Sequence, residues 1–208
     1  MDVVGLLAAE RIRLAHALDD LSAPEWETDS LCAGWSARVV AAHLNAPWGA
    51  KAPLLASTAI RERGNVASTL NALSMRLADR IPPAEAIAGL RLHADHHFPK
   101  PWPLEAPLTD VVVHGADILT PLDRSVDVAP AALTTVLTWL SAGAMRAFLP
   151  KSRLAGLELR ATDLDASVGT GSAWIEGPAL ALCGALLGRR VYFPRLTGPG
   201  VAVLDSRL

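Results

Sequence analysis

The stretch TDVVVHGADI, Thr109 to Ile118, carries three groups able to do chemistry in an otherwise apolar run: Asp110, His114 and Asp117. At about 100° per residue, a helix brings them within roughly 60° of one another. Val111, Val112, Val113, Ala116, Ile118 and Leu119 fill nearly all of the remaining circumference. A helix so apolar is buried over most of its surface, so its polar stripe must face a polar cavity or a thin strip of solvent. Carboxylate and imidazole at i and i+4 can both reach one divalent cation, and the same spacing suits an ordinary salt-bridged helix face. His43, in RVVAAHLN, is a second imidazole among apolar neighbours, either a satisfied core residue or a ligand. Two histidines and one carboxylate leave a fourth tetrahedral position open, the arrangement of catalytic rather than structural zinc. Asp117 could accept from the other ring nitrogen of His114, hold a neighbouring helix, or act as a general base.

Other reactive residues have competing readings. In LRLHADHHF, His93 and His97 also stand at i and i+4, but at a helix C-terminus, where imidazolium is favoured by the dipole. Cys32 could be a nucleophile, yet no flanking His or basic residue activates it in sequence, and a small buried thiol is the plainer reading. Arg189 could bind a substrate carboxylate; Arg189 and Arg190 also suit simple dipole partners at a helix end. Trp26, Trp35 and Trp48 read as core anchors or pocket walls.

These residues need elements to position them. Val3 to Leu21 repeats apolar residues at three and four residue spacings, an amphipathic helix. Ser36 is placed to cap a helix carrying Val39, Val40, His43 and Leu44, which Pro47 kinks or stops. Further helices are expected over Asn65–Arg80, Pro83 to about Phe98, Leu108 to about Leu119, and Ala131–Leu149. After Pro150 the period becomes two in GLELRATDLDASVGTGSAWIEG, a hairpin signal with Gly169 and Gly171 near its turn or second strand. GPALALCGALLGR then reads as a helix and VAVLDSRL as a final strand. The pattern divides the chain into a helical domain, 1–150, and a small α+β C-terminal domain, 151–208.

Composition narrows the function classes. With 208 residues, 51% hydrophobic and 19% charged, the chain can bury a real core. No apolar run approaches the roughly 20 uncharged residues of a bilayer span, and Asp2 stands where a secretory signal carries basic residues, so no membrane role and a cytoplasmic location are expected. Two cysteines, Cys32 and Cys183, do not make a disulfide scaffold. A net charge of −2 without a basic patch gives no nucleic-acid footprint.

Three segments resemble one family. SLCAGWSARVVAAHL and DVVVHGADILTPL are similar to the two signatures of the maleylpyruvate isomerase family of mycothiol-dependent enzymes, within the DinB-like helical superfamily. GLELRATDLDASVGTGSAWIEGPALALCGALLGR with LTGPGVAVLDSRL resembles its small C-terminal domain, so the likeness spans nearly the whole chain. It implies a mainly α fold, a DinB-like four-helix-bundle core with that small domain. It also implies a divalent metal, typically zinc, held by His43, Asp110 and His114; the characterised isomerase has the longer Glu where Asp110 stands. The open metal position would then take the sulfur of mycothiol, whose thiolate adds to a small electrophilic substrate. The reaction would be an isomerisation, in which addition frees a double bond to rotate, or an S-transfer. Asp117 behind His114 and Arg189 as a carboxylate anchor are read from their types and positions in this chain, not from the resemblance. The rival reading is a DinB-like metal-binding protein without thiol chemistry, either a hydrolase or a non-catalytic binding protein. Monomer and homodimer both fit.

Overall fold

The computed structural model describes residues 2–97, 102–143 and 149–208, and the side chains of 66 and 67 lie outside that description. The fold is mainly α with a small α+β part, as the sequence pattern and resemblance lead one to expect. It divides into two compact units, one made of the described residues up to 97 together with Asp110–Asp127, the other containing Val128–Leu208.

The first unit is a helical bundle. Its elements are α1 (Val3–Asp19), α2 (Ala23–Trp26), α3 (Ala37–Leu44), α4 (Ala46–Gly49), α5 (Ala52–Arg61), α6 (Val66–Ala78), α7 (Pro83–Leu92) and the Asp110–Leu119 part of α8 (Glu105–Leu119). Asp2 opens α1 by accepting from Gly5 N at 2.8 Å, and Asn65 opens α6 by accepting from Ser68 N at 2.9 Å. Ser36 does occupy the cap position of α3, in extended conformation, but its side chain makes no capping bond. α3 packs on α6 and α7, and α1 packs on α7. Leu14 of α1 lies against the bare backbone of Gly115 in α8, 3.3 Å from where a Cβ would stand. Leu7, Leu14, Leu18, Leu90, Ile118 and Leu119 are fully buried between these helices. Trp26 is a core anchor at 5% exposure.

Helix α5 has no counterpart in the sequence reading. It buries only Leu54 and Thr58, so its apolar spacing is too sparse to show, and Pro53 in its first turn resembles a break. Helix α7 ends at Leu92, short of Phe98, which itself lies outside the described residues. Among the described residues no helix is long and apolar enough to cross a membrane.

The second unit holds α9 (Pro130–Ser141), α10 (Lys151–Leu154), β1 (Leu157–Ala161), β2 (Ser167–Gly169), β3 (Ala173–Gly177), α11 (Ala179–Leu186) and α12 (Gly200–Asp205). α9 packs on α11 and β2. It ends at Ser141, and the continuation expected to Leu149 falls partly on 144–148, outside the described residues. The sheet has order β2-β1-β3. β1 and β2 form the expected antiparallel hairpin, but β3 pairs parallel to β1, with Leu157 opposite Ala173 and Ala161 opposite Gly177. The chain must therefore cross the start of β1. It does so at Gly171, where a Cβ would stand 1.9 Å from the carbonyl carbon of Gly156, so only glycine fits. VAVLDSRL is not a strand: α12 covers most of it, buries Leu204 and packs on β3, whose Glu176 instead exchanges N–H···O bonds of 2.9 and 2.8 Å with Thr197, just before the helix.

Candidate metal centre

Helix α8 buries Val111, Val112, Ala116, Ile118 and Leu119, and this fixes its rotation so that Asp110 and His114 face α3. On α3, burial of Val39, Val40, Ala41, Ala42 and Leu44 leaves His43 half-buried on the facing side. Three sequence-selected residues meet there. His43 Nε2 lies 3.5 Å and His114 Nε2 3.4 Å from the same atom, Asp110 Oδ1.

The other ring nitrogens decide where the protons are. His114 Nδ1 stands 2.9 Å from Asp117 Oδ2, so as a partner of a carboxylate it carries a proton and donates. His43 Nδ1 stands 3.0 Å from Ser74 Oγ, whose own proton is donated to Leu70 O at 2.7 Å. Ser74 can then only accept, and His43 Nδ1 also carries its proton. In its neutral form, either imidazole held this way turns an Nε2 lone pair toward the carboxylate oxygen. Three acceptors converging without a proton repel one another, and a cation relieves this, either an added proton or a metal ion.

The donor set fits a divalent metal. Ligands about 2.0–2.1 Å from a tetrahedral ion stand roughly 3.3–3.4 Å apart. The two observed nitrogen–oxygen separations match that edge and exceed a good hydrogen bond. All three ligand atoms lie within 4.8 Å of one another. A second group, Cys32, His114 and Asp117, meets the same limit through the opposite nitrogen of His114. Its separations, 2.9 Å from His114 Nδ1 and 3.1 Å from Cys32 Sγ to Asp117 Oδ2, are those of direct hydrogen bonds.

Asp117 is 1% exposed, behind His114 and away from the Nε2 side. Its contact with Cys32, and the contact of Ser74 with His43, are invisible in the sequence, because the partners are 85 and 31 residues apart. Trp35 is a wall of the site, its ring 5.1 Å from that of His43 and 6.2 Å from that of His114, fixed by a bond from Nε1 to Asn71 Oδ1.

Electrostatics follow the same geometry. Burial alone would lower His43, but the charge and hydrogen bond of Asp110 raise it above its ordinary value. Burial alone would raise Asp110, but His43, His114 and the more distant Arg11 bring it down to about 2. Its side chain keeps 41% exposure, so water screens these charges and they convert into little stability. Arg11 is 4% exposed; its Nη1 donates to the carbonyls of His93, Ala94 and His96 at 2.9, 3.1 and 2.6 Å, and its guanidinium lies 5.0 Å over Trp48. Burial lowers Arg11 to about 10.

The competing histidine cluster has another role. His93 stacks on Trp48 at 4.9 Å and His96 meets its edge at 5.5 Å, so the turn after α7 packs around Trp48 and Arg11. No metal-ligating group forms there among the described residues. In the second unit, Arg189 donates to Leu187 O at 2.8 Å, at the end of α11 where the helix dipole favours a cation. That unit also holds a cavity of about 250 Å³ lined by Ser141, Leu154, Leu157, Val168 and Thr170, which contains none of the metal-ligating residues.

Comparison with known proteins places the fold. The sequence matches no family model and no curated protein. The structure is similar to a crystal structure of the mycothiol-dependent maleylpyruvate isomerase, with a TM-score of 0.51, 16% identity and 95% of each chain covered. A histidine-to-alanine variant of that isomerase gives a TM-score of 0.50 with the same identity and coverage. At this identity the likeness is one of fold.

Proposed function

We propose that the chain is a zinc-dependent enzyme that uses mycothiol as its thiol cofactor and adds the thiolate to a small electrophilic substrate, in an isomerase or S-transferase reaction. One observation carries the metal half of this reading: His43 Nε2 and His114 Nε2 converge on the single atom Asp110 Oδ1, while the Nδ1 of each ring is engaged on the far side by Ser74 and Asp117. The thiol half is supported by the fold shared with an isomerase described as mycothiol-dependent. His43, Asp110 and His114 would hold the ion, and a bound zinc would supply a thiolate at neutral pH by lowering the pKa of a coordinated thiol. Ser74 and Asp117 keep both imidazoles in the ligating tautomer. Trp35 shields both rings from water on one side. Asp117, committed to His114 and Cys32, is poorly placed as the base a zinc-dependent hydrolase needs, which favours the thiol reading.

The pH dependence has a definite sign. With His43 raised above about 6.5, the His43–Asp110 pair stabilises the metal-free protein below that pH and loses this contribution as pH climbs through the raised value. The depressed Asp110 contributes above about 3.9 and is lost as pH falls through about 2. Metal binding must displace the His43 proton, so the zinc-induced rise in Tm is expected to grow from pH 5.5 to pH 8, and proton release near pH 6.5 should appear in calorimetry across buffers of different ionisation enthalpy. A Tm increment flat across this range would remove His43 from the ligand set.

The function itself is tested by zinc-dependent consumption of mycothiol against a panel of activated cis alkenes, epoxides and alkyl halides, with His43→Ala as control. Turnover is expected in the wild type only. A zinc-loaded protein that gives neither thiol adduct nor isomerised product supports a binding role instead.

A further inference from the structure

We infer that Cys32 is a positioning residue of the metal centre, its thiol holding Asp117 in the orientation that fixes the His114 imidazole. The inference rests on the metal reading above. Cys32 sits in the turn between Ser30 and Trp35, which is closed by Ser30 N donating to Trp35 O at 2.8 Å and Trp35 N donating to Cys32 O at 2.9 Å. This turn is tied to α8 twice at one residue: Leu31 N donates to Asp117 O at 3.1 Å, and Cys32 Sγ donates to Asp117 Oδ2 at 3.1 Å. The same Oδ2 receives His114 Nδ1 at 2.9 Å. Thiol and imidazole thus share one oxygen of a carboxylate that is 1% exposed. Taking the S–H away leaves that oxygen a donor short in a place where water cannot easily substitute, and the carboxylate then relaxes toward its remaining partners. The ring it holds rotates with it, and the Nε2 lone pair leaves its aim at Asp110. The turn also carries Trp35, so a single segment sets both the orientation of one ligand and a wall of the site.

A hydroxyl has the same donor and acceptor inventory as a thiol on a slightly shorter arm. Serine at this position therefore restores the bond, whereas alanine does not. The competing arrangement has the Cys32 sulfur itself ligating a metal together with His114 Nδ1 and Asp117, and it makes the opposite prediction for serine.

The experiment uses cobalt(II) titrated into the metal-free full chain, read by its visible d–d bands, for wild type, Cys32→Ser and Cys32→Ala, with Tm of each metal-free protein as the folding check. Wild type and Cys32→Ser are expected to bind with affinities within a few-fold of each other and the same visible spectrum. Cys32→Ala is expected to bind roughly tenfold more weakly, the lower end for loss of an outer-sphere partner, with an altered spectrum. Equal affinity in Cys32→Ala overturns the inference. So does a near-ultraviolet thiolate-to-cobalt band in the wild type that vanishes in Cys32→Ser, since Cys32 is then a ligand. A wild type that binds no cobalt overturns the metal reading, and this inference with it, a failure distinct from the other two.

Discussion

His114→Ala is expected to abolish stoichiometric zinc binding while the bundle stays folded. The wild type should carry about one zinc per chain, the number that His43, Asp110 and His114 together can hold, since the second group shares His114 and is closed by direct hydrogen bonds. Loss of a partner outside the coordination sphere typically lowers metal affinity 10–100-fold, so loss of one of the three protein ligands should lower it by roughly two orders of magnitude or more. The structural cost is smaller. His114 is 16% exposed, and its removal takes away the hydrogen bond to Asp117, about 1–3 kcal/mol for a buried acceptor left short of a donor. Core residues on the same helix, Val112, Ile118 and Leu119, are untouched. Elemental analysis of the purified variant together with circular dichroism separates the two effects, and full zinc occupancy in a folded His114→Ala protein would sink the ligand assignment.

Gly89→Ala should be among the most damaging single-methyl additions in the first unit. A Cβ there would stand 2.1 Å from Asn45 Oδ1 and 3.1 Å from Trp48 Nε1. Asn45 cannot step aside cheaply. It is 3% exposed, donates from Nδ2 to Ala41 O at 2.9 Å and Ala86 O at 3.1 Å, and accepts from Trp48 Nε1 at 2.9 Å. These bonds tie the end of α3 to α7, two residues beyond His43. Overpacking combined with a broken buried hydrogen bond costs about 3 kcal/mol, which for a chain of this size lowers Tm by about 6–12 °C. Ala88→Ser, an exposed change on the same helix, should stay within about 0.5 kcal/mol. Similar Tm values for the two variants would mean that α3 and α7 can separate without loss.

The local patterns were readable because they are set by nearest neighbours on one helix. Asp110, His114 and Asp117 share a stripe through the 3.6 period alone, and the apolar remainder of α8 requires that stripe to face something polar. What the stripe faces is a tertiary matter. Helical spacing left a salt-bridged face and a ligand pair equally open; the proton on Ser74, committed to Leu70, is what turns the His43 lone pair toward Asp110, and no local pattern encodes it. Cys32 read as an inert thiol because its partners, His114 and Asp117, lie 82 and 85 residues away. In the second unit the period of two located β1 and its hairpin. It could not reveal that β3 pairs with the far edge of β1, since successive side chains point to opposite faces whichever way the neighbouring strand runs, and only the crowding at Gly171 records the crossing. The same limit applies to α12, where six residues with one deeply buried leucine satisfy either period.

Arg11 gives the centre a sign. Lowered only to about 10 and held by three carbonyls, it stays cationic throughout the physiological range. Its charge is felt at Asp110, which it helps to hold ionised. With a divalent ion bound, the Asp110 and Asp117 carboxylates would offset its charge, and the Arg11 guanidinium, shared with Asp95, adds positive potential at Asp110. A ligand completing that centre is therefore favoured as an anion, so a thiolate should be retained where the thioether of the same skeleton is not.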